Sequence, residues 1–394
     1  MVYRKLILFL LILAFSAGTK AQQLTYAQAD SITYAEYMSG NWKALKVTGS
    51  KALQQGIDFP YLRLRIAYAH FMSGNYSAAL KQYHQVLKND SFNETAQLYS
   101  YWCNDYLNRP DEAAFHAVKL NDSILVKSGI KPFGLLKAGL EGSYKIPDDA
   151  LRNPGTYYRM HVSNRLFLKL RLEQSVSFYK QQLMVKSNFN SGRRNLTVYD
   201  NQQVEYYGKL SYPLSSSLTL LGGYHYLNNK FAETTYNNQV SLGGLKYSRP
   251  YFELQADANL SSFSNMNVNQ YNGSVTIYPK GNFNLYTLSR ISFQSQAAAN
   301  QLIFNQVAGS KIAKFLWLEG NVTLGKMNNY IGADALYVYN SIDPSLFKAG
   351  STAFIPLHSK LLLQLDYTYE QKQNAFELYT YNQHSITGGL TWKF

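Results

Sequence analysis

His161-Val162-Ser163-Asn164 sets a histidine and a serine two residues apart, the spacing at which side chains of a β-strand share a face. An imidazole beside a serine hydroxyl is the minimum for base-assisted acyl transfer, in which the ring takes the hydroxyl proton. The same face carries Arg159 and Arg165, while Met160 and Val162 occupy the other. Two guanidiniums belong in a polar interior, so His161 and Ser163 turn away from the apolar side, and a hydrogen-bonding pair outweighs a catalytic one. The other histidines, His70, His84, His116, His225, His358 and His384, form no HExxH and adjoin no acidic or cysteine cluster with metal spacing. There is no GxSxG elbow, phosphate-binding glycine loop or dinucleotide fingerprint, so no catalytic residue, cofactor or metal is assigned. The single cysteine, Cys103, reads as a small apolar residue packed between helices.

The remaining chemistry is charge placed in the middle of alternating segments. Phe252, Leu254, Ala256, Ala258 and Leu260 alternate with Glu253, Gln255, Asp257 and Asn259, and comparable sets surround Glu319 and Asp366. Arg171 and Glu173 stand in a similar run. The segments are roughly 10–13 residues long, enough to cross a bilayer at a tilt, whereas soluble strands average about 5–6. A carboxylate in mid-strand is costly against lipid, so Arg171, Glu173, Glu253, Asp257, Glu319 and Asp366 are expected to face the lumen of a closed barrel. Interleaved carboxylates and cations would either cross-brace that lumen or line a path for a hydrophilic polymer.

Six tight turns, near residues 167, 215, 250, 280, 313 and 357, then predict fourteen antiparallel strands, the first over 133–144. Twelve strands is the alternative if one of these turns fails. The seven loops on the opposite side fall around 145–155, 183–197, 231–235, 264–269, 295–300, 328–346 and 373–380. In the last segment Ile386, Gly388, Leu390, Trp392 and Phe394 share a face. Many outer-membrane barrels end in such an aromatic strand, which the barrel-assembly machinery reads, so Trp392 and Phe394 are the expected assembly signal.

Residues 24–128 read as helical and repetitive. Met38-Ser39-Gly40-Asn41-Trp42 recurs 34 residues later as Met72-Ser73-Gly74-Asn75-Tyr76, with a degraded third copy at Tyr106-Leu107-Asn108-Arg109-Pro110. Ala67, Ala79, Tyr83 and Leu87 supply the small and apolar anchors around the middle copy. Gly40 and Gly74 are the repeat turns. The period and these residues resemble the tetratricopeptide repeat, whose stacked helix pairs offer a concave surface to a partner protein. Such a unit before such a barrel resembles the YaiO-like outer-membrane family. His161-Val162-Ser163-Asn164 in turn resembles the His-x-Ser-Asn element of the lipid A deacylase barrels, which implies, as a rival, an enzyme acting on lipid or lipopolysaccharide. A passive porin or structural barrel is the third possibility.

Composition agrees with export to an envelope. Of 394 residues 34 are Tyr, aromatics make up 15%, and mean hydropathy is −0.28. Arg4 and Lys5, the apolar run Leu6 to Phe15, and Thr19-Lys20-Ala21 form a secretory signal expected to be removed. No cysteine adjoins the cleavage site, which argues against a lipid anchor. The net charge of +14 lacks a polybasic block, and a secreted chain argues against nucleic acid and for anionic lipid or glycan. The expected organisation is α+β: a signal peptide at 1–21, a periplasmic repeat domain at 22–130, and a transmembrane β-barrel at 131–394 in the outer membrane. The expected partners are membrane lipid, the assembly machinery and a periplasmic protein.

Overall fold

The computed structural model describes residues 23–188, 194–264, 266–296 and 299–394. The expected signal segment therefore lies outside the described residues, as do 189–193, 265 and 297–298 within three of the expected loops.

Among the described residues seven helices come first: α1 (Tyr26–Met38), α2 (Trp42–Gln54), α3 (Pro60–Met72), α4 (Tyr76–Asn89), α5 (Glu94–Tyr106), α6 (Pro110–Ala117) and α7 (Asp122–Lys127). Their starts are written locally. Asn41, Asn75 and Asn93 each accept a hydrogen bond from a backbone N–H in the first turn of the helix they precede, satisfying a donor the helix cannot. Between α1 and α2, and again between α3 and α4, the chain reverses at Gly40 (φ +69°) and Gly74 (φ +72°), a left-handed conformation that costs other residues a Cβ clash. The third copy makes the same reversal with Asn108 at φ +57°. Small residues then let the helices close on one another, with Ala67, Ala79, Tyr83 and Cys103 fully buried in one core. No helix among the described residues is long and apolar enough to cross a membrane.

The strands follow: β1 (Gly134–Pro147), β2 (Gly155–Arg165), β3 (Arg171–Asn188), β4 (Arg194–Pro213), β5 (Leu218–Phe231), β6 (Thr234–Arg249), β7 (Phe252–Phe263) and β8 (Met266–Ile277). They continue as β9 (Leu285–Gln296), β10 (Ala299–Ala313), β11 (Leu316–Met327), β14 (Ser345–His358), β15 (Leu361–Gln373) and β16 (Thr380–Lys393), and a two-stranded hairpin, β12 (Ile331–Gly332) with β13 (Tyr337–Val338), interrupts the series. Each strand of the series pairs antiparallel with the next, β11 pairs with β14, and β16 returns to β1, so the fourteen strands form a closed barrel. The first expected strand thus joins the wall on both sides, which decides for fourteen over twelve. Four of the six expected tight turns fall between the strands they were assigned to join, while 313 and 357 fall in the last residues of β10 and β14, with the reversals following at 314–315 and 359–360. The loops are narrower than expected: β3 reaches Asn188, β4 begins at Arg194 and β8 at Met266.

Alternation sorts the wall. Met160, Leu260, Leu302 and Ile386 point outward and are 58%, 56%, 62% and 61% exposed. Aromatics collect toward the ends, with Tyr144 and Tyr158 at one rim and Phe167, Phe315, Trp392 and Phe394 at the other. A closed barrel satisfies every strand hydrogen bond, and only lipid accommodates so broad an apolar belt outside it. The barrel is a membrane-spanning one.

Candidate functional site: an obstructed lumen

Two elements enter the lumen, one from each end. At the end of the short turns, the helical domain is seated in the mouth. Ser77 N donates to Gly281 O at 2.9 Å, Ser77 Oγ donates to Pro250 O, and Asn282 Nδ2 donates to Gly74 O at 2.9 Å. Gly281 (φ +65°) allows this approach, because a Cβ there would run into Asn75 Oδ1 and Ser77. α6 then carries two carboxylates inside. Arg171 grips Asp111 with two hydrogen bonds of 2.8 Å. Glu112 accepts from Ser248 Oγ at 2.7 Å and pairs with Lys246 at 3.2 Å. Arg109 meets Glu253 at 2.7 Å and lies over the Tyr278 ring.

At the opposite end the longest loop does not stand outside, as a plain loop over 328–346 would. It folds inward through β12 and β13, burying Ile331 and Ala335 completely. His225 Nδ1 donates to Ala335 O at 2.6 Å, and Gln270 both donates to and accepts from the Ile331 backbone. Ala333, Asp334 and Ala335 are consecutive non-glycine residues at positive φ, strain that persists only where contacts over-determine the conformation. The contacts are ionic: Lys209 reaches Asp334 at 3.1 Å and Arg290 reaches it at 3.5 Å.

The six expected lumen charges all lie on inward faces, but the fold divides them. Arg171 pairs with Glu173, Glu173 with Lys209 at 2.9 Å, and Asp257 with Arg290 at 2.9 Å. Arg171 on Asp111 and Glu253 on Arg109 hold the helical element directly, whereas Glu173 and Asp257 hold the wall cations Lys209 and Arg290, which reach Asp334 of the inward loop. Glu319 and Asp366 stand apart. Glu319 accepts from Tyr286 OH, and Asp366 accepts from Thr352 at 2.8 Å and Thr368 at 2.9 Å.

Both face a cavity of about 400 Å³. The inward loop packs against β4 to β10, so the opposite wall, β14 to β16 and β1 to β4, is left lined by Tyr157, Tyr179, Lys145, Lys348, Lys372 and Glu370. Above it, Arg152 and Asp343, with side chains 0% and 2% exposed, form an ion pair of 2.5 Å. Tyr381 OH also donates to Asp343, and Asn374 and Tyr379 hold Asp149 beside it.

His161 and Ser163 do point inward, yet among the described residues no hydrogen bond joins them. His161 Nε2 lies 3.5 Å from Thr391 Oγ1. The nucleophile–base contact that acyl transfer needs is not formed. Among the described residues no cluster of metal-ligating side chains occurs. Trp392 and Phe394 face outward at the turn-end rim, where Phe394 N donates to Leu136 O at 3.0 Å.

No family model matches the chain, and no curated protein matches it. Among solved structures it is similar to the TodX deltaS2S3 mutant monoaromatic hydrocarbon channel, at 8% identity over 70% of this chain and 95% of that one, with a TM-score of 0.49. The Pseudomonas putida toluene transporter TodX gives 8% identity, 69% and 93% coverage, and a TM-score of 0.47. The outer membrane protein Omp33 of Acinetobacter baumannii gives 9%, 66% and 99%, and 0.39. At these values nothing about ligand or mechanism passes from them to this chain.

Proposed function

We propose that the protein is a gated, non-enzymatic outer-membrane conduit, with a periplasmic tetratricopeptide-like domain of the YaiO-like kind as its stopper and docking unit. A partner engaging the helices would withdraw α6 and open a one-sided polar path for a hydrophilic polymer such as a surface polysaccharide. The observation that carries this reading is the seating of Asp111 and Glu112 inside the barrel mouth, on strands that otherwise only brace it. A domain meant solely to hang in the periplasm would have no use for two buried carboxylates, whose desolvation cost only matched cations offset. A steadily open porin and a lipid hydrolase both fit less well, the first because two elements fill the lumen, the second because His161 and Ser163 do not meet.

Planar-bilayer recording of the purified chain tests it. The native protein is expected to stay closed, and the double variant Asp111→Asn, Glu112→Gln to conduct. Equal conductance in both would end the stopper reading.

A further inference from the structure

Arg159, Arg171, Lys209, Lys246 and Arg290, elsewhere in the lumen, each meet a carboxylate, while Lys137 and Arg165 near the turn end form no ion pair among the described residues. Lys145, Lys348 and Lys372 are also unmatched, and they cluster. All three line the same cavity, at its loop end, and among the described residues none forms an ion pair. Lys348 donates to Tyr339 OH at 2.8 Å and Lys372 to Ser341 Oγ at 3.1 Å, both neutral acceptors on the inward loop. Lys145 Nζ makes no hydrogen bond among the described residues. Register brings the three together. Lys348 lies opposite Glu370, Lys372 stands one pleat further along the same face, and Lys145 lies opposite Ser385, itself opposite Thr368. With strands roughly 5 Å apart, the amines converge on one volume.

Glu370 stands among them, and it already accepts from Ser345 and Gln383, each at 2.9 Å. Asp366, two pleats nearer the turn end, is held by its two threonines. Three ammonium groups about one carboxylate leave positive charge that an anion would offset. Four further carboxylates line the cavity, and each is already held: Glu141 by Arg159, Glu205 by His225, Glu319 by the Tyr286 hydroxyl and Asp366 by its threonines. Hydroxyls and amides, including Thr387, Ser143, Gln364, Asn321 and the tyrosines, share the rest of the wall with apolar surface such as Phe354 and Val338. The cavity's size falls within the roughly 300–1,000 Å³ of small-molecule sites.

We infer that this cavity binds an acidic saccharide, its anionic group held by Lys145, Lys348 and Lys372 and its hydroxyls by the polar wall below. The inference rests on the reading that the lumen is the working part of the protein, and it names the substrate class.

Calorimetry on the full chain in detergent, with D-glucuronate, D-glucose and inorganic phosphate as probes, decides it. Glucuronate is expected to bind at least about tenfold tighter than either of the others, and Lys145→Met or Lys372→Met to weaken it by about tenfold. Lys145→Met is the safer variant, since its amine touches no protein group, and an unchanged melting temperature confirms assembly. Glucose binding as tightly as glucuronate would overturn the anionic part. Phosphate binding as tightly would overturn the saccharide part and leave an adventitious ion only. No glucuronate binding at all would overturn both. Because binding is read without conductance, an empty cavity in a protein whose stopper variant conducts sinks this inference alone. Glucuronate binding by a chain whose stopper variant never conducts sinks the conduit reading alone.

Discussion

Asp111 and Glu112 occupy the first turn of α6, where the exposed backbone N–H groups favour negative charge. Burial pushes the Asp111 carboxyl up, but the Arg171 charge and hydrogen bond, with Lys246 and Lys209, outweigh it and hold the group well below the usual carboxylate range. Two histidines behind them shift for a different reason. Burial, with Arg249, Arg109 and Lys88 adding to it, lowers His84 from 6.5 to about 4, and burial lowers His116 well below its ordinary value. His84 Nε2 and His116 Nε2 are buried without a partner, so neither ring has an acceptor waiting for a second proton. A base whose folded pKa is depressed gives stability that is whole above its unfolded pKa and is lost as pH falls through the folded value. A carboxylate with a depressed pKa behaves in the same sense, at lower pH. The helical domain is therefore expected to hold fully above pH 6.5 and to loosen as pH falls toward 4, with the α6 contact failing only in stronger acid. Hydrogen exchange of the α4 and α6 amides across this range reads the effect; protection that stays flat from neutrality to pH 4 would contradict it.

Gly281 separates the two bodies at the level of elements. Gly281→Val adds a side chain where Asn75 and Ser77 stand, so the helices should unseat while the wall, which lies open at that turn, still closes. Protease cleavage between α7 and β1 should rise several-fold in this variant with the barrel core still resistant. Gly74→Ala, with no atom within 4 Å of the new Cβ, tests backbone alone and should cost the helical domain about 1–2 kcal/mol. An unchanged denaturation midpoint would refute the left-handed assignment of that turn. Much of this level was legible in the sequence, because a 34-residue period and a two-residue alternation are both local signals. The stopper was not. Its signal was the decay of the third repeat into Arg109-Pro110-Asp111-Glu112, residues chosen by strands more than fifty positions away. The inward hairpin was hidden for a related reason: β12 and β13 are two residues each, too short to show a period, and their burial depends on partners such as Gln270 and His225. Inward faces could be read from alternation, so Glu319 and Asp366 were found, but which cations lack a carboxylate is a property of the closed wall.

The whole molecule closes along β1 and β16, where Leu140 meets Leu390 and Ala138 meets Trp392. Deleting Phe394 removes the backbone donor to Leu136 and one outward aromatic of that seam. Assembled protein, scored by resistance of the purified barrel to protease, should fall several-fold, while any barrel that does form should retain its cavity. Undiminished assembly would remove Trp392 and Phe394 from the role of recognition strand. The seam also has a consequence for the order of events. It joins residues some 250 positions apart, the slowest kind of contact to find. The α6 carboxylates, by contrast, meet β3, β5 and β6, which lie early in the wall. The α6 carboxylates therefore have their receptor while the sheet is still an open, curling ribbon, the contacts at Glu253 and Gly281 follow, and the last strands wrap around an occupied surface. Assembled this way, the barrel never passes through a vacant stage, and the membrane it enters is never offered a leak.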